Sequence, residues 1–118
     1  MLVDDQFVSR LLVTEILKSD YELVCYQDAR KALGCFIKEK PDLLITDLMM
    51  PMMSGFELIE AIKRQFPHMP VLAVSAYSEY KNDGWTVMFE DFLAKPYSAG
   101  SLKRKVARIM KQNTDITY

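Results

Sequence analysis

The chain has 118 residues, 50% hydrophobic and 26% charged, a globular composition that fits one domain and lies far from the disordered regime. Fifteen basic and 16 acidic residues give a net charge of −1, which argues against direct nucleic-acid binding driven by phosphate neutralisation. No apolar run approaches the ~18 residues of a membrane span, and no basic stretch precedes an apolar one at the start, so a cytoplasmic location is expected.

Met1-Leu2-Val3 reads as the stub of a first strand, followed at once by Asp4 and Asp5. A helix is predicted from about Gln6 to Lys18. Its apolar positions, Phe7, Val8, Leu11, Leu12, Val13, Ile16 and Leu17, exceed what one buried face requires. Leu23-Val24-Cys25-Tyr26 has strand length. Ala29, Ala32, Leu33, Phe36 and Ile37 then recur at helical spacing behind Asp28, a natural N-cap. Leu43-Leu44-Ile45-Thr46 is a near-continuous apolar strand that delivers Asp47. Leu58, Ile59, Ile62 and Phe66 form the next helical stripe, stopped before Pro67. Val71-Leu72-Ala73-Val74 leads to Ser75. A helix is expected between Ser78 and Met88, although Asn82-Asp83-Gly84 there is a turn signal. Asp91-Phe92-Leu93-Ala94 leads to Lys95-Pro96, and Leu102, Val106, Ile109 and Met110 mark a last helix with Ser98 as its cap. Cys25 and Cys35 read as reduced, buried small residues, and His68, between two prolines, as a surface-loop residue.

Strict alternation of strands and helices implies an α/β fold with a parallel sheet covered on both faces. The chain is far shorter than the ~250 residues of a closed barrel, so the sheet is open and doubly wound. In such sheets the site lies beyond the carboxyl ends of the strands. Four strand ends deliver Asp4 and Asp5, Asp47, Ser75, and Lys95 to one edge. Clustered carboxylates repel unless a cation joins them, and oxygen-only ligation suits Mg²⁺. A cation, an amine and a hydroxyl around one carboxylate make an electrostatic clamp for a phosphoryl group, and an Asp can take that group as an acyl phosphate. Asp47, behind a buried strand, is the best nucleophile candidate.

These residues carry a resemblance. Val3-Asp4-Asp5, Thr46-Asp47-Leu48-Met49-Met50-Pro51 with Met53, Gly55 and Glu57, Val74-Ser75-Ala76, and Phe92-Leu93-Ala94-Lys95-Pro96-Tyr97 resemble the receiver domain of two-component response regulators, over essentially residues 1–118. The resemblance implies a flavodoxin-like five-stranded sheet of order 2-1-3-4-5, in a signalling module rather than an enzyme. It implies that Asp47 accepts a phosphoryl group from a sensor histidine kinase or histidine phosphotransfer protein. Asp4, Asp5, Asp47 and the backbone carbonyl of Met49 would hold Mg²⁺. Lys95 would pair with the phosphoryl oxygens, Ser75 would bond them, and Phe92 would stand at the switch aromatic's position, so that phosphorylation shifts the surface near the last two strands. Met49 and Tyr77 take the positions that tune phosphoryl lifetime. Both are bulky and lack a water-orienting group, so self-dephosphorylation should be slow.

Two features depart from the pattern. Only three residues precede Asp4, so an interior first strand is shortened and its neighbours' backbone loses partners; a displaced start or completion of the sheet by another chain would each account for it. The segment from Ser75 to Lys95 is slightly short, with Phe89-Glu90 where a Gly-Ala step is common. Phe7 and Leu11 are read as core residues or as part of a kinase-facing surface. Lys103, Arg104, Lys105, Arg108 and Lys111 are read as a solvated face, with homodimerisation or membrane attraction as the alternative. An FMN-binding flavodoxin would need a phosphate-cradling loop where Asp4-Asp5 stands, and an aspartyl phosphatase typically needs a second Asp where Met49 stands.

Overall fold

The computed structural model describes residues 1–77 and 88–116. The helix expected between Ser78 and Met88 falls outside the described residues. Five parallel strands, β1 (Leu2–Val3), β2 (Cys25–Tyr26), β3 (Leu44–Asp47), β4 (Val71–Ser75) and β5 (Asp91–Ala94), form one sheet in the order β2-β1-β3-β4-β5. Four described helices accompany them: α1 (Phe7–Leu17), α2 (Ala29–Glu39), α3 (Gly55–Gln65) and α4 (Ala99–Ile116).

The side-chain period of two sorts the strands' apolar residues between two cores. Val3, Leu44, Ala73 and Phe92 face α2 and α3, where Ala32, Phe36, Leu58 and Ile62 meet them. Leu2, Ile45, Leu72 and Leu93 face the other way, against Val13 and Leu17 of α1 and Leu102, Val106 and Ile109 of α4. This double burial is why β3 and β4 read as continuous apolar runs.

The helices start where the sequence marks them. Asp28 accepts the Arg30 N–H at 2.8 Å. Ser54 and Glu57 close a reciprocal capping box at α3. Ser98 Oγ accepts the Ser101 N–H at 3.1 Å. The α1 helix lacks such a cap at Gln6, whose N–H instead goes to Asp4 Oδ1 at 2.9 Å.

Several expectations need correction. β2 spans two residues rather than four, and Ile37 points to solvent. Cys25 is exposed and Cys35 half-buried, both free. β2 is the edge strand, with a neighbour on the β1 side only, and Cys25 Sγ lies 3.6 Å from Thr14 Oγ1. On α1 only Val13 and Leu17 are buried, while Phe7 and Val8 are 67% and 73% exposed. β1 is short yet interior, as expected, and a cleft of about 570 Å³ opens at its amino end between Leu23-Val24 and Asp42-Leu43, floored by Leu17, Val106 and Met110.

Candidate functional site

Pairing register brings the acidic and basic residues together. Asp47 is the last residue of β3 and Ser75 of β4, and Lys95 follows β5 directly. The Leu48 N–H donates to Val74 O at 3.0 Å and the Lys95 N–H to Ser75 O at 2.8 Å, extending both ladders past the strands. Asp4, Asp5 and Asp47 each offer a carboxylate oxygen, all within 4.8 Å of one another. Asp4 and Asp47 are buried and Asp5 half-buried.

Lys95 reaches across this cluster. Its Nζ lies 3.0 Å from Asp4 Oδ2, 2.9 Å from Asp47 Oδ2 and 3.3 Å from Ser9 Oγ. Burial pushes the Asp47 carboxyl above its ordinary value, and the Asp4 charge adds to this; Lys95 and the Met49 N–H, 3.1 Å from Oδ1, oppose it. Burial works against the Lys95 ammonium too, but its bonds to Asp47 and Asp4 prevail and hold it above the usual lysine value. The two directions fit together: three carboxylates facing one ammonium leave an excess of two negative charges. Such a pocket disfavours a further anion and favours a cation. An oxygen-only donor set with that excess matches a hard divalent ion such as Mg²⁺.

The backbone around Asp47 is held tightly. Thr46 Oγ1, fully buried, donates to Asp47 O at 2.9 Å. A Cβ on Gly55 would stand 2.1 Å from Asp47 O, so only glycine lets α3 begin this close to the strand end. Arg10 Nη1 donates to Asp4 O at 2.8 Å and ties α1 to the end of β1.

Ser75 lies at the same edge, fully buried, with its Oγ accepting the Tyr77 N–H at 3.0 Å. The Phe92 ring is buried toward α2 and α3, its centroid 6.0 Å from that of Phe89. Met49 and Tyr77 are exposed, two residues beyond Asp47 and Ser75. Ser9 and Arg10 carry no motif in the sequence, and Thr46 stands there only as the residue before Asp47. Ser9 and Arg10 did leave a faint signal, as polar residues one turn beyond Asp5 in an otherwise apolar stretch.

The structure is thus an open parallel α/β sheet with a carboxylate cluster and a lysine gathered at its carboxyl edge. The chain belongs to the response regulator receiver domain family, whose model matches residues 1–107. It is 35% identical over 114 residues to the sensor histidine kinase TmoS of Ectopseudomonas mendocina, covering 93% of this chain and 12% of that protein. It is 28% identical over 112 residues to the alkaline phosphatase synthesis transcriptional regulatory protein PhoP of Bacillus subtilis, covering 93% of this chain and 47% of that one. The chain thus spans less than half of either relative's length. Among solved structures it is similar to the response regulator TrrA of Thermotoga maritima in complex with Mg(2+)-BeF, with TM-score 0.84, 29% identity, and 92% and 95% of the two chains covered. It is also similar to the chemotaxis protein CheY4 of Vibrio cholerae, with TM-score 0.83, 31% identity, and 92% and 94% covered.

Proposed function

We propose that the chain takes a phosphoryl group on Asp47 from a phosphohistidine of a sensor kinase or phosphotransfer protein. The observation that carries this reading is a buried Asp47 carboxylate whose Oδ2 is held 2.9 Å from the Lys95 ammonium inside an acidic cluster.

An Asp47 carboxylate oxygen attacks phosphorus, the P–N bond to the donor imidazole breaks, and the imidazole nitrogen leaves with the electron pair. Lys95, bonded to Asp47 Oδ2, stands beside the attacking carboxylate and would turn one of its N–H donors to the phosphoryl oxygens as their charge grows. Mg²⁺ held by Asp4, Asp5, Asp47 and the Met49 carbonyl would supply the remaining neutralisation of those oxygens. Thr46 and Gly55 fix the Asp47 backbone so that its side chain stays in line with the incoming group.

Ser75 accepts the Tyr77 N–H and still has its own proton to donate to a phosphoryl oxygen. Its movement would carry the turn after β4 with it. Phe92 is already inward against Phe89, so the response shifts the populations of a packed surface beside β4 and β5 without a new fold. Exposed Met49 and Tyr77 offer no acid or amide to orient water, which supports slow hydrolysis of the acyl phosphate. The exposed Phe7, Val8, Leu11 and Leu12 of α1, beside the acidic cluster, suit the apolar side of a helical phosphodonor protein.

Incubation with acetyl phosphate and Mg²⁺, read by intact mass and peptide mapping, tests the reading. Phosphorylation at Asp47 that vanishes in Asp47→Asn is the expected result. Unmodified wild type, or equal modification of Asp47→Asn, would overturn it.

A further inference from the structure

We propose that Ser9 is a positioning residue for Lys95, holding the ammonium in register between Asp4 and Asp47; this rests on the phosphoryl-acceptor reading of the site. A lysine ammonium has three N–H donors, no acceptor, and a flexible four-carbon stem. Two carboxylates on their own leave the third donor, and the rotation about the Cε–Nζ bond, without a fixed partner. Ser9 Oγ supplies the third acceptor at 3.3 Å, beside Asp4 Oδ2 at 3.0 Å and Asp47 Oδ2 at 2.9 Å. The three acceptors come from the end of β1, the end of β3 and the first turns of α1, so the ammonium is located from three separate elements.

Ser9 is itself held in place. The Gln6 N–H donates to Asp4 Oδ1 at 2.9 Å and Arg10 Nη1 to Asp4 O at 2.8 Å, anchoring α1 to the site on either side of Ser9. The serine is half-buried, whereas Phe7 and Val8 in the same stretch are exposed. The stretch of α1 that presents an apolar surface outward therefore holds the site lysine inward through one hydroxyl. A preplaced cation stabilises developing phosphoryl charge better than one that must be recruited during the reaction.

The test compares wild type with Ser9→Ala and Ser9→Thr, each checked for an unchanged melting temperature. One measurement is the rate of Asp47 phosphorylation across acetyl phosphate concentrations. The other is proton exchange at the Lys95 ammonium, followed by nitrogen-15 NMR in the unphosphorylated protein. In Ser9→Ala the saturating rate is expected to fall about fivefold with little change in KM, because placement rather than binding is lost. Its ammonium protons should exchange faster, and Ser9→Thr, which keeps the hydroxyl, should restore both. Wild-type rate and exchange in Ser9→Ala would overturn the proposal, as would a Ser9→Thr variant as impaired as Ser9→Ala. A wild-type protein that is never phosphorylated on Asp47 would sink the phosphoryl-acceptor reading instead, and the ammonium exchange would still show whether Ser9 holds Lys95.

Discussion

At Asp47, burial and the Asp4 charge outweigh the pull of Lys95, and the sign has a consequence for stability. A carboxyl whose value is raised by folding binds its proton more tightly in the native state, so ionisation costs native stability as pH rises past the ordinary carboxylate range. Asp47→Asn keeps the shape and removes the charge. In EDTA at pH 7 it should melt about 2–5 °C above wild type, and scanning calorimetry reads this directly. Adding Mg²⁺ should raise the wild-type melting temperature and leave the Asn variant nearly unmoved. A lower melting temperature for the variant in EDTA would contradict the sign. Gly55 is the opposite case, a residue with no chemistry of its own. Gly55→Ala places a methyl carbon 2.1 Å from Asp47 O, and the required backbone shift should cost about 1–3 kcal/mol in urea denaturation while displacing Asp47. Asp4, Asp5, Asp47 and Lys95 were legible because each ends an apolar run. Ser9 and the reason for Gly55 were not, because both depend on how closely separate elements approach.

Among the elements, α4 is tied to β5 through one carboxylate. Asp91 accepts from Lys105 Nζ at 3.0 Å and also from Arg108 Nη2. Burial works against its charge, but the Phe92 N–H, Lys105 and Arg108 prevail and hold it below the usual carboxylate value. A lowered value means a contribution present above the ordinary range and lost as pH falls through the folded value. Asp91→Asn should therefore lower stability at pH 7, by about 1 kcal/mol given solvent screening, with the deficit vanishing in acid. Urea titrations at pH 7 and in acid would check both statements. On α1, Phe7→Ser with Leu11→Ser should change stability by less than about 0.5 kcal/mol, because both side chains face solvent. Phosphorylation by acetyl phosphate should be unaffected, while transfer from a phosphohistidine protein should slow. The stripes of α2, α3 and α4 were legible from periodicity and caps, except that Ile37 and Phe66, counted among them, are exposed. That of α1 was not, because seven apolar residues on one helix give no phase to show which face turns inward.

Across the whole molecule, alternating strands and helices specified an open parallel sheet, and the sheet obeys it, with Asp4, Asp5, Asp47 and Lys95 gathered at its carboxyl edge. The order 2-1-3-4-5 came from resemblance, since apolar runs fix which segments are strands but not which are neighbours. The one strand length misread was that of β2, which is two residues long because a strand persists only where a partner's backbone runs beside it and β1 offers two. The cleft at the amino end of β1 and the cross-tied carboxylates at the other end make the sheet unequal along its length. The molecule should consequently come apart in a fixed order, like a seam that parts from its open end. The amides of Leu2 and Ile45, bonded to Val24 O and Met1 O, should open well before those of Leu48 and Lys95. Asp47 would then sit at the last part of the sheet to loosen, so thermal breathing of the domain leaves the carboxylate cluster intact.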